Sequence, residues 1–135
     1  MIPKEHIVFL NPDTLAPPRG YSQVVQVTGG KTIYLAGQVA LDASNHLVGP
    51  GDFRAQARQI FENIRLALAA VETDFSSVVK LNIYLLDLSN LPILSEVRES
   101  FVNTAAPPVS TLVEVRSLAR EEFLLEVEAI ASISA

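Results

Sequence analysis

Cysteine is absent from the 135-residue chain. That absence removes thiol nucleophiles, disulfides and every metal site built on thiolates. Histidine is scarce: His6 and His46 are the two present, and they share no ligand spacing, so neither a metal nor a cofactor is expected. Basic residues are few, 10 Lys and Arg against 15 Asp and Glu, for a net charge of −5. A nucleic-acid footprint would show as basic clusters interleaved with aromatics, so the balance argues against a nucleic-acid partner. Long apolar runs are also missing: none approaches the roughly 20 residues a membrane span needs. The opening segment MIPKEHIVFLNPD has no apolar core and no small-residue cleavage site, so no signal peptide is expected. These absences lead to the expectation of a cytoplasmic protein without a membrane partner. No repeat, linker or low-complexity segment divides the chain, which reads as a single domain, residues 1–135.

What is present is apolar sequence. Hydrophobic residues make up 49% of the chain and the mean hydropathy is +0.30. That is more than a small soluble monomer needs, and it points to buried subunit interfaces. HIVFL, residues 6–10, reads as an edge strand ended by Asn11-Pro12-Asp13. After the loop LAPPRGYSQ, the runs SQVVQVTGG and KTIYLAGQVAL flank Gly29-Gly30, which predicts a hairpin across Thr28–Lys31. Asp52 can cap a helix whose apolar stripe runs Phe53, Ala57, Ile60, Phe61, Ile64, Leu68, Val71. SVVKLNIYLLDL then alternates, with Val79, Leu81, Ile83 and Leu85 on one side and Lys80, Asn82 and Tyr84 on the other. Ser89 or Asn90 can cap a second helix with Pro92 in its first turn and Leu94, Val97 and Phe101 as its stripe. STLVEVRSL and FLLEVEAIASI close the chain as strands. The order β-ββ-α-β-α-ββ predicts an α+β fold, a mixed and mostly antiparallel sheet with both helices on one face.

FLLEVEAIASI carries an oddity. Glu126 and Glu128 are two residues apart, so in a strand they share a face. A buried carboxylate without a partner costs several kcal/mol, about enough to threaten a short strand, or takes up a proton instead. Glu126 reads either as a structural carboxylate or as a residue of a cleft. Glu128 reads as structural, hydrogen-bonded or paired with a basic group.

Taken together and in order, GYSQVV, the AGQV turn, QARQIFENIRLALAAV, VVKLNIYLLDLSNL, PPVSTLVEV and LLEVEAIA resemble the RidA/YjgF family, also called the endoribonuclease L-PSP or translation-inhibitor family. The resemblance spans nearly the whole chain. It implies a chorismate-mutase-like fold and a homotrimer with a small-molecule ligand in each inter-subunit cleft. It further implies hydrolysis of reactive enamines and imines to ammonia and a 2-keto acid. In the family an arginine of a P-A-R-S segment clamps the substrate carboxylate through paired hydrogen bonds, and a glutamate of the last strand positions or activates water. A tyrosine after the first loop and a glycine of an S-G-Q turn complete the cleft.

Residue by residue, the resemblance makes Glu126 the catalytic candidate and Tyr21 and Gly37 substrate-binding candidates. The arginine is not matched: its column holds Ser110, or Val109 if the register is shifted by one. Arg19, Arg98 and Arg116 are the cations that could stand in, and Arg19 adjoins the Gly20-Tyr21 loop. Three functions follow: a deaminase-like hydrolase of altered specificity, a non-catalytic metabolite binder or regulator using the same cleft, and an endoribonuclease or translation inhibitor. The acidic balance makes the last the least supported.

Overall fold

The computed structural model describes residues 6–134; Met1–Glu5, on which part of the expectation of no signal peptide falls, and Ala135 lie outside the described residues. The chain runs β1 (Ile7–Leu10), β2 (Val24–Val27), β3 (Lys31–Gln38), α1 (Phe53–Ala69), β4 (Val78–Leu85), α2 (Leu91–Glu99), β5 (Val109–Glu114) and β6 (Leu125–Ile133). This is the predicted order and the predicted α+β class. The six strands divide into two sheets, a β1-β2 ribbon and a four-stranded sheet ordered β3-β6-β4-β5. Only β4 and β5, joined through α2, run parallel; the remaining pairs are antiparallel.

α1 starts where Asp52 accepts a hydrogen bond from the Ala55 amide at 3.0 Å, satisfying one of the free N–H groups of the first turn. Its apolar stripe, Phe53, Ala57, Ile60, Phe61, Ile64 and Leu68, is buried. Val71, read as the end of that stripe, lies beyond the helix and is exposed. The stripe packs on β3 and β6, and α2 packs on α1, with Leu94 and Val97 in the same core. Phe61, Phe75 and Phe101 form an aromatic trio with ring centroids 5.6–6.2 Å apart. From the sheet, Leu81, Ile83, Leu85, Leu125, Val127, Ala129 and Ala131 face this core and are buried. The alternate residues Lys80, Asn82, Tyr84, Glu126, Glu128 and Ile130 lie on the other, half-covered face.

Two expectations are corrected. β2 and β3 do not form a hairpin: β2 pairs with β1, Ile7 opposite Val27, and β3 pairs with β6, Lys31 opposite Ile133. Gly29 and Gly30 do turn the chain, both at positive φ. However, His6 sits so close to Gly30 that a Cβ there would collide with its ring. His6 also bridges the Thr28 carbonyl (2.7 Å) and the Ser132 hydroxyl (2.6 Å). β1 thus takes the β2 edge, and the nine-residue β6 offers β3 a longer partner. In β4 the register shifts between Val78 and Lys80. This bulge buries Val78 and leaves Val79 only partly covered, against the uninterrupted alternation expected from Val79 onward.

One buried polar side chain sets the start of β6. Gln56, in the first turns of α1, is fully buried. Its amide donates to the Gly49 carbonyl (3.1 Å) and the Glu122 carbonyl (3.0 Å). Its oxygen accepts from the Leu124 amide at 3.0 Å. Two residues later in the chain comes Glu126.

Candidate functional site

The register of β4 on β6 sets Glu126 opposite Tyr84 and Glu128 opposite Asn82. Both polar neighbours serve Glu128. The Asn82 amide donates to its Oε1 at 2.9 Å and the Tyr84 hydroxyl to the same oxygen at 2.8 Å, the latter across the diagonal of the ladder. Of the two expected ways of holding Glu128, the structure shows hydrogen bonding, from two neutral donors, rather than a basic partner. The Tyr84 hydroxyl is held above its ordinary pKa, first by this hydrogen bond, then by burial and by the negative charges of Glu128 and Glu126. Glu126 makes no hydrogen bond or ion pair among the described residues.

Glu126 instead leans on Gly37. β3 slips register against β6 between Leu35 and Gln38, so Ala36 and Gly37 sit in a bulge beside the carboxylate. A Cβ built on Gly37 would collide with Glu126 Oε2. The glycine thereby admits a carboxylate against bare backbone. Beside the bulge an open groove of about 430 Å³ is lined by Gly37, Gln38, Val39, Leu41, Asp42 and Asn63. Its wall is fixed by Asn63, whose amide donates to the Val39 and Leu41 carbonyls at 3.2 and 2.9 Å. Neither Glu126 nor Tyr21 lines this groove.

Tyr21 belongs to a second group. The Ser22 amide donates to the Pro108 carbonyl (3.0 Å), and its hydroxyl to the Pro107 carbonyl (2.5 Å). These bonds tie the half-buried Tyr21 to the start of β5, next to Val109 and Ser110. Ser110 lies opposite Leu81, which in turn lies opposite Ala129. Both are buried, so Ser110 faces the helix side, not the face of Glu126. Arg19 is exposed. Arg98, in the last turn of α2, reaches Gly20. The expected site residues thus fall into two clusters of the chain: Gly37 with Glu126, and Tyr21 with Ser110 near Arg19 and Arg98. Sequence reasoning grouped Asn82 and Tyr84 on one side of their strand but missed that they serve Glu128, since pairing register is not written in either strand alone. Among the described residues no group of three or more acidic or histidine side chains is placed to hold a metal ion, and no helix is long and apolar enough to cross a membrane.

The profile of the endoribonuclease L-PSP family matches residues 12–133. The chain belongs to that family, the RidA/YjgF family. Its similarity to DfrA of Myxococcus xanthus is 41% identity over 111 residues, 82% of this chain and 83% of that protein. A mouse family member named 2-iminobutanoate/2-iminopropanoate deaminase is 35% identical over 111 residues, covering 82% of this chain and 79% of that protein. Among solved structures, the Rid-family protein YyfB of Yersinia pestis superposes with a TM-score of 0.85 at 31% identity, over 96% of this chain and all 100% of that one. RidA from an Antarctic Psychrobacter gives a TM-score of 0.70 at 34% identity, over 87% and 92%. The architecture described above is therefore the RidA/YjgF fold.

Proposed function

We propose that this RidA/YjgF protein is a homotrimer whose inter-subunit clefts hydrolyse a reactive imine or enamine of a small metabolite. The observation that carries the reading is the contrast between the two glutamates. Glu128 is held by Asn82 and Tyr84, whereas Glu126 has no such partner and rests on the bare backbone of Gly37. A carboxylate kept at the sheet surface without a structural partner is available to a substrate or a water. The deaminase names of relatives 33–35% identical to the chain support the same chemistry.

In the proposed reaction Glu126 orients a water and accepts its proton as the oxygen adds to the C=N carbon. The resulting carbinolamine collapses as the C–N bond breaks. The nitrogen takes the proton first accepted by Glu126 and then the carbinolamine hydroxyl proton and leaves as ammonia, and the carbon keeps the oxygen as a carbonyl. An enamine enters the same path after tautomerising to the imine. The cleft would join Gly37 and Glu126 of one subunit to Tyr21 and Ser110 of another, with Arg19 at its rim. Ser110 in the arginine column changes how the substrate is held and hence which substrate is accepted.

That same position favours a second reading, a metabolite binder without turnover, because Ser110 faces the helix side and supplies no cation. A coupled ammonia assay on imines generated in situ separates the two. Hydrolysis faster than the spontaneous reaction, reduced about a hundredfold or more in Glu126→Gln, is the expected result. Saturable binding of the keto-acid product with no acceleration of any imine would support the binder instead.

A further inference from the structure

The guanidinium of Arg98 is half-buried yet has no hydrogen bond and no ion pair among the described residues. Burial is the main influence on it and disfavours its charge, and the nearby Glu99 opposes this; an arginine stays charged all the same. A desolvated, unpaired cation is a costly arrangement unless something negative comes to it. Helix capping does not explain it. The last carbonyls of α2 are already served: Ser100 N–H and Oγ–H donate to Val97, and the Phe101 and Val102 amides donate to Arg98. Glu99 is the next residue in the chain, and neighbours in a helix point apart.

Arg98 lines a partly enclosed cavity of about 180 Å³, with Gly20, Glu99, Val102, Thr104 and Pro107. Gly20 makes room for it: a Cβ there would stand 2.6 Å from Arg98 Nη2, and the residue's φ is +74°. The cavity adjoins the Tyr21 cluster through two of its own walls. Gly20 precedes Tyr21, and Pro107 receives the Ser22 hydroxyl.

We propose that this cavity binds the carboxylate of a small monocarboxylic acid, with Arg98 as the anion-binding residue. Arg98 brings one positive charge to the cavity and Glu99 lines another part of it, and the glutamate repels a dianion more than a monoanion, so a phosphate dianion is disfavoured against a carboxylate. The planar donors of arginine match a carboxylate in pairs, and the Thr104 hydroxyl can add another. The volume suits an acid of a few carbons. The inference deepens the hydrolase reading, on which it rests for what the carboxylate is attached to. It assigns to a residue of α2 the role that Ser110 leaves empty on β5.

The test is calorimetric titration of the whole protein with pyruvate and 2-oxobutanoate, beside methyl pyruvate as a neutral control and inorganic phosphate. The keto acids should bind. The ester should bind roughly ten- to a hundredfold more weakly. Arg98→Gln should weaken keto-acid binding by about the same factor, Arg98→Lys by less, and Gly20→Ala should weaken it by crowding the guanidinium. Equal binding of ester and acid, unchanged binding in Arg98→Gln, phosphate preferred over pyruvate, or no binding of any probe would each overturn the proposal. The hydrolase reading is judged apart, in Glu126→Gln. Arg98-dependent binding without any imine hydrolysis keeps this site and sinks the hydrolase. Hydrolysis with an unchanged KM in Arg98→Gln sinks this site and keeps the hydrolase.

Discussion

Asn82 and Tyr84 both aim at one oxygen of Glu128, although Tyr84 stands opposite Glu126. That choice separates the two carboxylates. Glu126→Gln removes no described partner, so its melting should change by no more than about 0.5 kcal/mol equivalent. Glu128→Gln disturbs two charge-assisted hydrogen bonds and should lower the melting temperature. Tyr84 reports the same contact by pH. Its folded pKa lies above the ordinary 10.0, so the folded state holds the phenolic proton more tightly than the unfolded chain. The stability it contributes is present below about pH 10 and is lost as pH rises through the raised value. In Glu128→Gln the tyrosinate absorbance should develop at lower pH and the alkaline loss of stability should shrink. Identical alkaline titrations of the two proteins would mean that the Tyr84–Glu128 bond is not made in solution.

Among the elements, both helices and the alternation of β4 and β6 were legible from apolar spacing alone, because each buries one face in the same core. The Asp52 cap was legible for the same local reason. The β2-β3 hairpin was not, since Gly-Gly between apolar runs marks a turn without saying which edges pair; His6, 22 residues before Thr28 and 126 before Ser132 along the chain, takes part in that decision. The bulges at Val79 and at Ala36–Gly37 were equally hidden, and the second of them seats Glu126. For the site, the resemblance to the family supplied Glu126 and Gly37, while the partners of Glu128 and the seat of Arg98 are properties of packing. Gln56 is a further case. Its three hydrogen bonds link α1 to the turns before α1 and before β6, yet as a sequence letter it is one more polar residue on a helix. Gln56→Ala would remove the partners of the Glu122 carbonyl and the Leu124 amide and empty a buried polar site, while the Gly49 carbonyl keeps the Asp52 amide. It should cost about 2–5 kcal/mol in denaturant unfolding. A loss under about 1 kcal/mol would show that water replaces the side chain freely.

At the scale of the whole molecule, the separation of the two clusters, Gly37 with Glu126 and Tyr21 with the Arg98 cavity, has a genetic consequence. If each cleft draws one cluster from each of two subunits, the mass by light scattering should be three times the 14.6 kDa of the chain. Two impaired variants, assayed at substrate well below the raised KM of Arg98→Gln, should then rescue one another. Glu126→Gln subunits still carry an intact Arg98 cavity, and Arg98→Gln subunits still carry an intact Glu126. Unfolded together and refolded as mixed trimers, they should form wild-type clefts at random in about one cleft of four. Ammonia release should return to roughly a quarter of the wild-type rate, whereas the same proteins mixed without subunit exchange should stay impaired. A cleft built within a single chain could never complement in this way, so the mixed refolding reads directly whether the chain carries one site or two halves of different ones.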